Sequence, residues 1–337
     1  MEIGIGLDPT LRLTYGEQRE LVQEATGLGY RSAWTPSGAT SRDAFHVCAQ
    51  WALASPGLGT GISVVPVAHW TAPQLAATAG TVGELSEGRF VLGVGTGSAY
   101  VESAQQAYGL PVHRPLPLMR DHLLVLRRLL AGEKVDYEGE TLTLRGVQLG
   151  FRPPRVPVYL GALGPQMLRL AGEASDGAGL NWCTPEQIAW SRRRLEEGCA
   201  RAGRSPGEVR VMEYIRMCVD EDVGAARRAL ARATLGYALG RPGASKAYGY
   251  RAHFVRMGFD EVLSDLEARR DAGAAMDELV DACPDSLLSA TSYFGPPAGA
   301  AAAFRRLATG LDEAIVRVVP ARPGAAAVAS TIRACAP

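Results

Sequence analysis

The six cysteines of this chain, Cys48, Cys183, Cys199, Cys218, Cys283 and Cys335, form no C-x-x-C pair, and no histidine stands at metal-ligand spacing. That pattern argues against a zinc site and a disulfide framework, and it reads as reduced thiols of a cytoplasmic protein. Net charge is absent as well. Lys plus Arg and Asp plus Glu number 35 each, so no overall field draws the chain toward nucleic acid or an anionic membrane. A small-molecule partner is expected instead. No apolar run is long enough to span a bilayer, and Met1-Glu2 lead into an apolar strand with no basic n-region, so export is not expected. The dinucleotide fingerprint G-x-G-x-x-G after a first strand is also missing.

What the 337 residues do contain is a 47 % hydrophobic content, enough for a substantial core, and a regular alternation of strand and helix signals. Strands are expected at Ile3–Leu7, Ser32–Thr35, Leu58–Val65, Phe90–Val94, Pro157–Gly161, Ala178–Trp182, Val209–Val219 and Glu313–Val319. Between them lie helix signals: a capping-box spacing at Thr14 and Glu17, then Asp43–Ala54, Pro73–Leu85, Leu118–Leu130, segments opening at Pro165 and Pro185, Val223–Leu239, Phe259–Ala272 and Ala298–Ala308. Eight βα units predict an α/β fold of the (β/α)8, or TIM-barrel, class, with a doubly wound open sheet as the alternative. Nothing divides the chain, so one domain is expected over 1–337. Residues 134–151 alternate about a Glu138-Gly139-Glu140 turn and predict a β-hairpin inserted between strands four and five. Residues 240–258, opening on a Gly-, Pro- and Tyr-rich stretch, are expected to be a mobile or substrate-contacting loop.

Two glycine-rich strand ends carry the functional signal. FVLGVGTGS at Phe90–Ser98 and VYLGALGPQM at Val158–Met167 each read as a parallel strand opening into a turn whose backbone N–H groups can cradle a phosphate. Either alone is equally a tight turn with no ligand. In a barrel, however, the ends of strands four and five are neighbours on the face that carries chemistry.

Five blocks carry a resemblance. They are LGYRSAW at Leu28–Trp34, RDAF at Arg42–Phe45, ELSEGRFVLGVGTGS at Glu84–Ser98, LLAGEKVDYEGETLTLRG at Leu129–Gly146 and RPPRVPVYLGALGPQMLRLAGEASDGAGLNW at Arg152–Trp182. Together they resemble the luciferase-like monooxygenase superfamily, and within it the F420-dependent oxidoreductases. The resemblance implies a deazaflavin across the barrel mouth, hydride transfer to or from a small organic substrate, and a homodimer. It also implies a non-proline cis peptide bulge at the end of strand three, carried over to Gly61 and Ile62. The anionic tail of coenzyme F420 would then meet Gly95, Thr96, Gly97 and Ser98, with Ala162, Leu163 and Gly164 completing the cradle and Asn181 and Trp182 at the same mouth.

Many F420 relatives carry an acid or a histidine just after strand two, whereas this chain has Pro36-Ser37-Gly38-Ala39-Thr40. The proton-handling group is therefore sought elsewhere. His69, on the turn after strand three, carries an imidazole that can donate or accept a proton and ranks first. Glu213, inside strand seven, ranks second as a buried carboxylate with a raised pKa. His46 reads as a residue packed in the second helix. Two rivals remain at this point: an FMN-dependent monooxygenase on the same fold, and a cofactor-free binding protein on a relic barrel.

Overall fold

The structure is a computed structural model; it describes residues 1–97, 102–110, 113–240 and 246–337. Eight parallel strands close into a barrel: β1 (Glu2–Gly6), β2 (Ser32–Thr35), β3 (Gly59–Pro66), β4 (Phe90–Gly95), β5 (Val158–Gly161), β6 (Gly177–Asn181), β7 (Arg210–Val219) and β8 (Glu313–Val318). Each pairs with the next, and β8 closes on β1 through Glu2↔Glu313 to Gly6↔Arg317. The expected barrel and its strand count stand, with ends shifted by a residue or two.

Closure forces side chains to alternate between the lumen and the surrounding helices. Trp34, Tyr159, Met212, Tyr214 and Ile315 pack as a separate cluster that fills the lumen. The opposite faces of the strands join the large outer layer, where Ile5, Ile62, Leu92, Leu160 and Val211 meet the helices. Helix starts follow from local chemistry. Thr14 and Glu17 form the expected capping box, Asp43 caps Ala44–Ala54 through the His46 N–H, and Thr184 caps Pro185–Arg201 through the Gln187 N–H.

The inserted hairpin is present as antiparallel strands Val135–Glu138 and Thr143–Val147, between β4 and β5 of the barrel. Asp121, on the helix Pro115–Leu130, anchors it by accepting the Tyr137 hydroxyl at 2.7 Å and the Thr141 N–H at 2.6 Å. Among the described residues no helix is long and apolar enough to cross a membrane.

The β7–β8 connection departs from expectation. Residues Gly249–Arg256 form a helix, not a loop, and Met276–Ala282 and Asp285–Thr291 are two further helices. A short strand, Ser292–Gly295, pairs in parallel with Arg216–Val219. Because Arg216 and Met217 also pair with β8, this strand lies on the other edge of β7, continuing above the point where β6 ends. A second apolar cluster, including Trp182, Leu230, Phe254, Leu266, Leu279 and Leu287, lies beneath these helices. Part of the expected 240–258 loop, residues 241–245, lies outside the described residues.

Candidate functional site at the barrel mouth

The ends of β4 and β5 are neighbours. Leu92↔Val158, Gly93↔Tyr159 and Val94↔Leu160 are paired, so the turn beginning at Thr96 and the turn Ala162–Gly164 emerge side by side at the C-terminal rim. Gly97 adopts φ +54°, which suits a glycine in a tight turn. Gly164 is the N-cap of the helix Pro165–Ala174, makes no side-chain cap bond, and has open space where a Cβ would stand. Pro165 at the first helical position has no N–H, so the donors that open this helix are the N–H groups of Gln166 and Met167. Arg256 reaches the same turn, donating from Nη2 to the Leu163 carbonyl at 3.0 Å. Ala162 is buried and tied to β6 by its N–H to the Gly179 carbonyl at 3.0 Å. Ser98 lies outside the described residues.

The non-proline cis bond falls at Ser63–Val64, two residues beyond the expected Gly61–Ile62. Pairing of β3 with β4 shifts between Ile62 and Val65, leaving Ser63 and Val64 opposite the single residue Gly93. The glycine at 61 answers to a different neighbour: a Cβ there would lie 2.4 Å from the Trp34 ring. Ile62 is fully buried in the outer layer. The bulge's own sequence, Ser-Val, has no distinctive composition; its imprint lies on the strands beside it. A Cβ on Gly93 would stand 2.2 Å from the Ile62 carbonyl oxygen, one on Gly95 2.7 Å from Val64, and one on Gly161 2.8 Å from Val64. One of the glycines first read as a phosphate contact, Gly95, thus also makes room for the bulge of β3.

Glu213 is fully buried but faces away from the mouth. Met212 and Tyr214 point into the lumen, so the residue between them points outward. Its Oε1 accepts the Cys183 N–H at 2.6 Å, and burial raises its pKa to about 8 against the smaller opposing effects of that bond and of Arg216. It holds the chain just past β6. His69 ends the short turn Val67–His69 after β3; it is exposed at the rim, with its ring edge-on to Tyr108 at 5.6 Å. His46, read as packed, is exposed and pairs with Asp43 at 2.9 Å.

The sequence reading passed over Arg216, although an arginine within the apolar strand Arg210–Val219 was a visible signal. Its Nη1 donates to Asn181 Oδ1 and, at 2.9 Å, to the Tyr214 carbonyl, while its guanidinium lies 3.9 Å from the centre of the Trp182 ring. Trp182 itself has φ +58°, rare for so large a residue, and its carbonyl accepts His253 Nε2–H at 2.8 Å. Burial pushes His253 down to about 4, so the ring is neutral at pH 7. Asn181 Nδ2 donates to the Tyr250 hydroxyl at 2.6 Å. On the adjacent strand β8, beside Arg216 in register, Arg317 pairs with Asp8 and lies 4.9 Å from the Tyr214 ring centre.

The sequence pattern of luciferase-like monooxygenases matches residues 3–313. The chain belongs to that family. Within the family it is 32 % identical over 229 residues to the 5,10-methylenetetrahydromethanopterin reductase of Archaeoglobus fulgidus, covering 68 % of each chain. It is 31 % identical over 175 residues to the F420-dependent glucose-6-phosphate dehydrogenase of Intrasporangium calvum, covering 50 % of this chain and 52 % of that one. In structure it is similar to the coenzyme F420-dependent tetrahydromethanopterin reductase of Methanopyrus kandleri, with a TM-score of 0.81, 22 % identity and coverage of 99 % and 97 %. This luciferase-like barrel therefore has oxidoreductases as relatives, and it is an enzyme fold with its mouth built from the turns described above.

Proposed function

We propose that this luciferase-like protein is an F420-dependent oxidoreductase that moves a hydride between the deazaflavin and a small organic substrate at the barrel mouth. The observation that carries the reading is the adjacency of the β4 and β5 ends beside the uncapped helix at Gly164. The residues fit an anionic cofactor: Gly95, Thr96 and Gly97 on one side, and Leu163 and Gly164 on the other, offer backbone amides, with Ala162 tied to β6 behind them, and a side chain at Gly164 would enter the open space beside them. The Ser63–Val64 bulge provides the shelf for the ring, and Asn181 lines the wall beyond it. When bound, the deazaflavin supplies two-electron hydride chemistry; the protein's task is to position the substrate carbon and exclude water. The relatives named above favour F420 over FMN.

Titrating the purified protein with F420 and with FMN tests the reading. F420 is expected to bind at least about tenfold more tightly, a difference of roughly 1.4 kcal/mol. Preference for FMN would replace the proposal with a flavin monooxygenase, and binding of neither would support a relic barrel. Gly164→Ala is expected to keep stability within about 1 kcal/mol, since its Cβ meets nothing, yet to weaken F420 binding about tenfold. Unchanged affinity would remove Gly164 from the cradle.

With Glu213 turned outward, His69 is the proposed proton-handling residue. His69→Ala is expected to leave F420 affinity alone and lower turnover about 100-fold, in the range of general acid–base catalysis. Turnover at the wild-type rate would eliminate it.

A further inference from the structure

Two arginines among the described residues are more than nine-tenths buried. Arg251 is answered by Glu267 at 2.9 Å and Asp260 at 2.8 Å. Arg216, 2 % exposed, has no carboxylate within 4.0 Å among the described side chains. A buried guanidinium without a counter-ion is costly, and protein interiors rarely tolerate one without a use. Asn181, the Tyr214 carbonyl and the Trp182 ring hold Arg216 in place, but all three are neutral. Among the described residues its Nη2 has no hydrogen-bond partner, and neither has the buried Tyr214 hydroxyl, the next lumen-facing group down β7. A further unpartnered atom nearby among the described residues, the carboxylate oxygen Glu213 Oε2, belongs to a side chain on the opposite face of the strand.

We propose that Arg216 and Asn181 form an oxyanion subsite in the barrel mouth that takes the carboxylate of a small organic acid, with the Tyr250 hydroxyl occupying the position of one carboxylate oxygen. The tyrosine oxygen accepts the Asn181 Nδ2–H and its ring is packed edge-on to Tyr237, whose ring lies 5.5 Å from the Arg216 guanidinium. It places an oxygen where an oxygen is wanted, without the negative charge that the arginine lacks. A carboxylate displacing it would accept from Asn181 Nδ2 and Arg216 Nη2 together and neutralise the buried cation. As a statement about substrate class the proposal rests on the oxidoreductase reading above; as a binding site it does not.

The test uses acetate and benzoate as probes, with acetamide and benzamide as neutral counterparts and inorganic phosphate as a second anion. Binding is followed by calorimetry and tryptophan fluorescence on wild type, Arg216→Lys, Arg216→Met and Tyr250→Phe, each also titrated with F420. The carboxylates are expected to bind wild type and the amides not. Tyr250→Phe should bind carboxylates about fivefold more tightly, Arg216→Lys about tenfold more weakly, and Arg216→Met without detectable affinity. F420 affinity should stay within about twofold throughout. The subsite is overturned if carboxylates bind neither wild type nor Tyr250→Phe, if phosphate is preferred, or if Arg216→Lys binds as wild type does. Loss of F420 affinity in the Arg216 variants would assign the arginine to the cofactor instead. Carboxylate binding that depends on Arg216 in a protein indifferent to F420 would leave the subsite standing and sink the cofactor reading alone.

Discussion

Gly93→Ala is expected to destabilise the protein by about 3 kcal/mol or more and to lose cofactor binding with it. The added methyl carbon would stand 2.2 Å from the Ile62 carbonyl oxygen and 3.3 Å from Ser63 Cα. Both are backbone atoms of β3, so no side chain can rotate aside. Relief requires β3 and β4 to part where Ile62↔Leu92 gives way to Val65↔Val94, which moves the bulge on which the mouth is built. Gly95→Ala meets Val64 at 2.7 Å, a side chain that is itself wedged against Gly161, so it should follow with a smaller loss. Urea unfolding and F420 titration of both variants measure this. A Gly93→Ala protein within about 0.5 kcal/mol of wild type would mean that the two strands do not approach so closely.

The second large effect concerns pH. Glu213 has its folded-state pKa raised to about 8 by burial, against an ordinary value near 4.5. A carboxyl of this kind binds its proton more tightly in the folded chain than in the unfolded one. Its contribution to stability is therefore fully present below pH 4.5, declines as pH rises, and is lost above 8. Glu213→Gln keeps the shape and an acceptor oxygen for the Cys183 N–H but cannot ionise. The difference between the two stability curves is expected to change by a few kcal/mol between pH 5 and pH 8, with the variant gaining on wild type as pH rises. Glu313, at the start of β8, is also raised by burial, and His253 is lowered; both are common to the two proteins and cancel in the difference. Parallel curves would show that Glu213 is not buried as described.

Much of this architecture was legible in the residues. The eight barrel strands were visible because parallel strands covered on both faces are short, nearly continuous apolar runs between amphipathic helices, and the hairpin at 134–151 was visible because its alternation differs from theirs. The same property hid the direction of Glu213. In a strand whose two faces are both buried, such as Arg210–Val219, period-two alternation cannot say which face is the lumen. The bulge at Ser63–Val64 left its signature three-dimensionally, on Gly93, Gly95 and Gly161 of neighbouring strands, which sequence order alone does not connect. The helix Gly249–Arg256 was hidden by its flanks. It starts at a glycine with φ +72°, spans eight residues, and is fixed by burying Ala252, His253 and Phe254 against the second apolar cluster and the Trp182 carbonyl. The strand Ser292–Gly295 is only four residues long, and its place depends on an edge of β7 that β6 leaves uncovered.

The central claim is that the turns after β4 and β5 together hold the anionic chain of the cofactor. Crystals of the F420 complex test it most directly. The account predicts a phosphate within hydrogen-bonding distance of backbone N–H groups from both the Gly95–Gly97 turn and the helix start after Gly164, with the ring against Ser63 and Val64. A phosphate bound away from both turns, or a ring on the far wall beside Asp8 and Arg317, would contradict it.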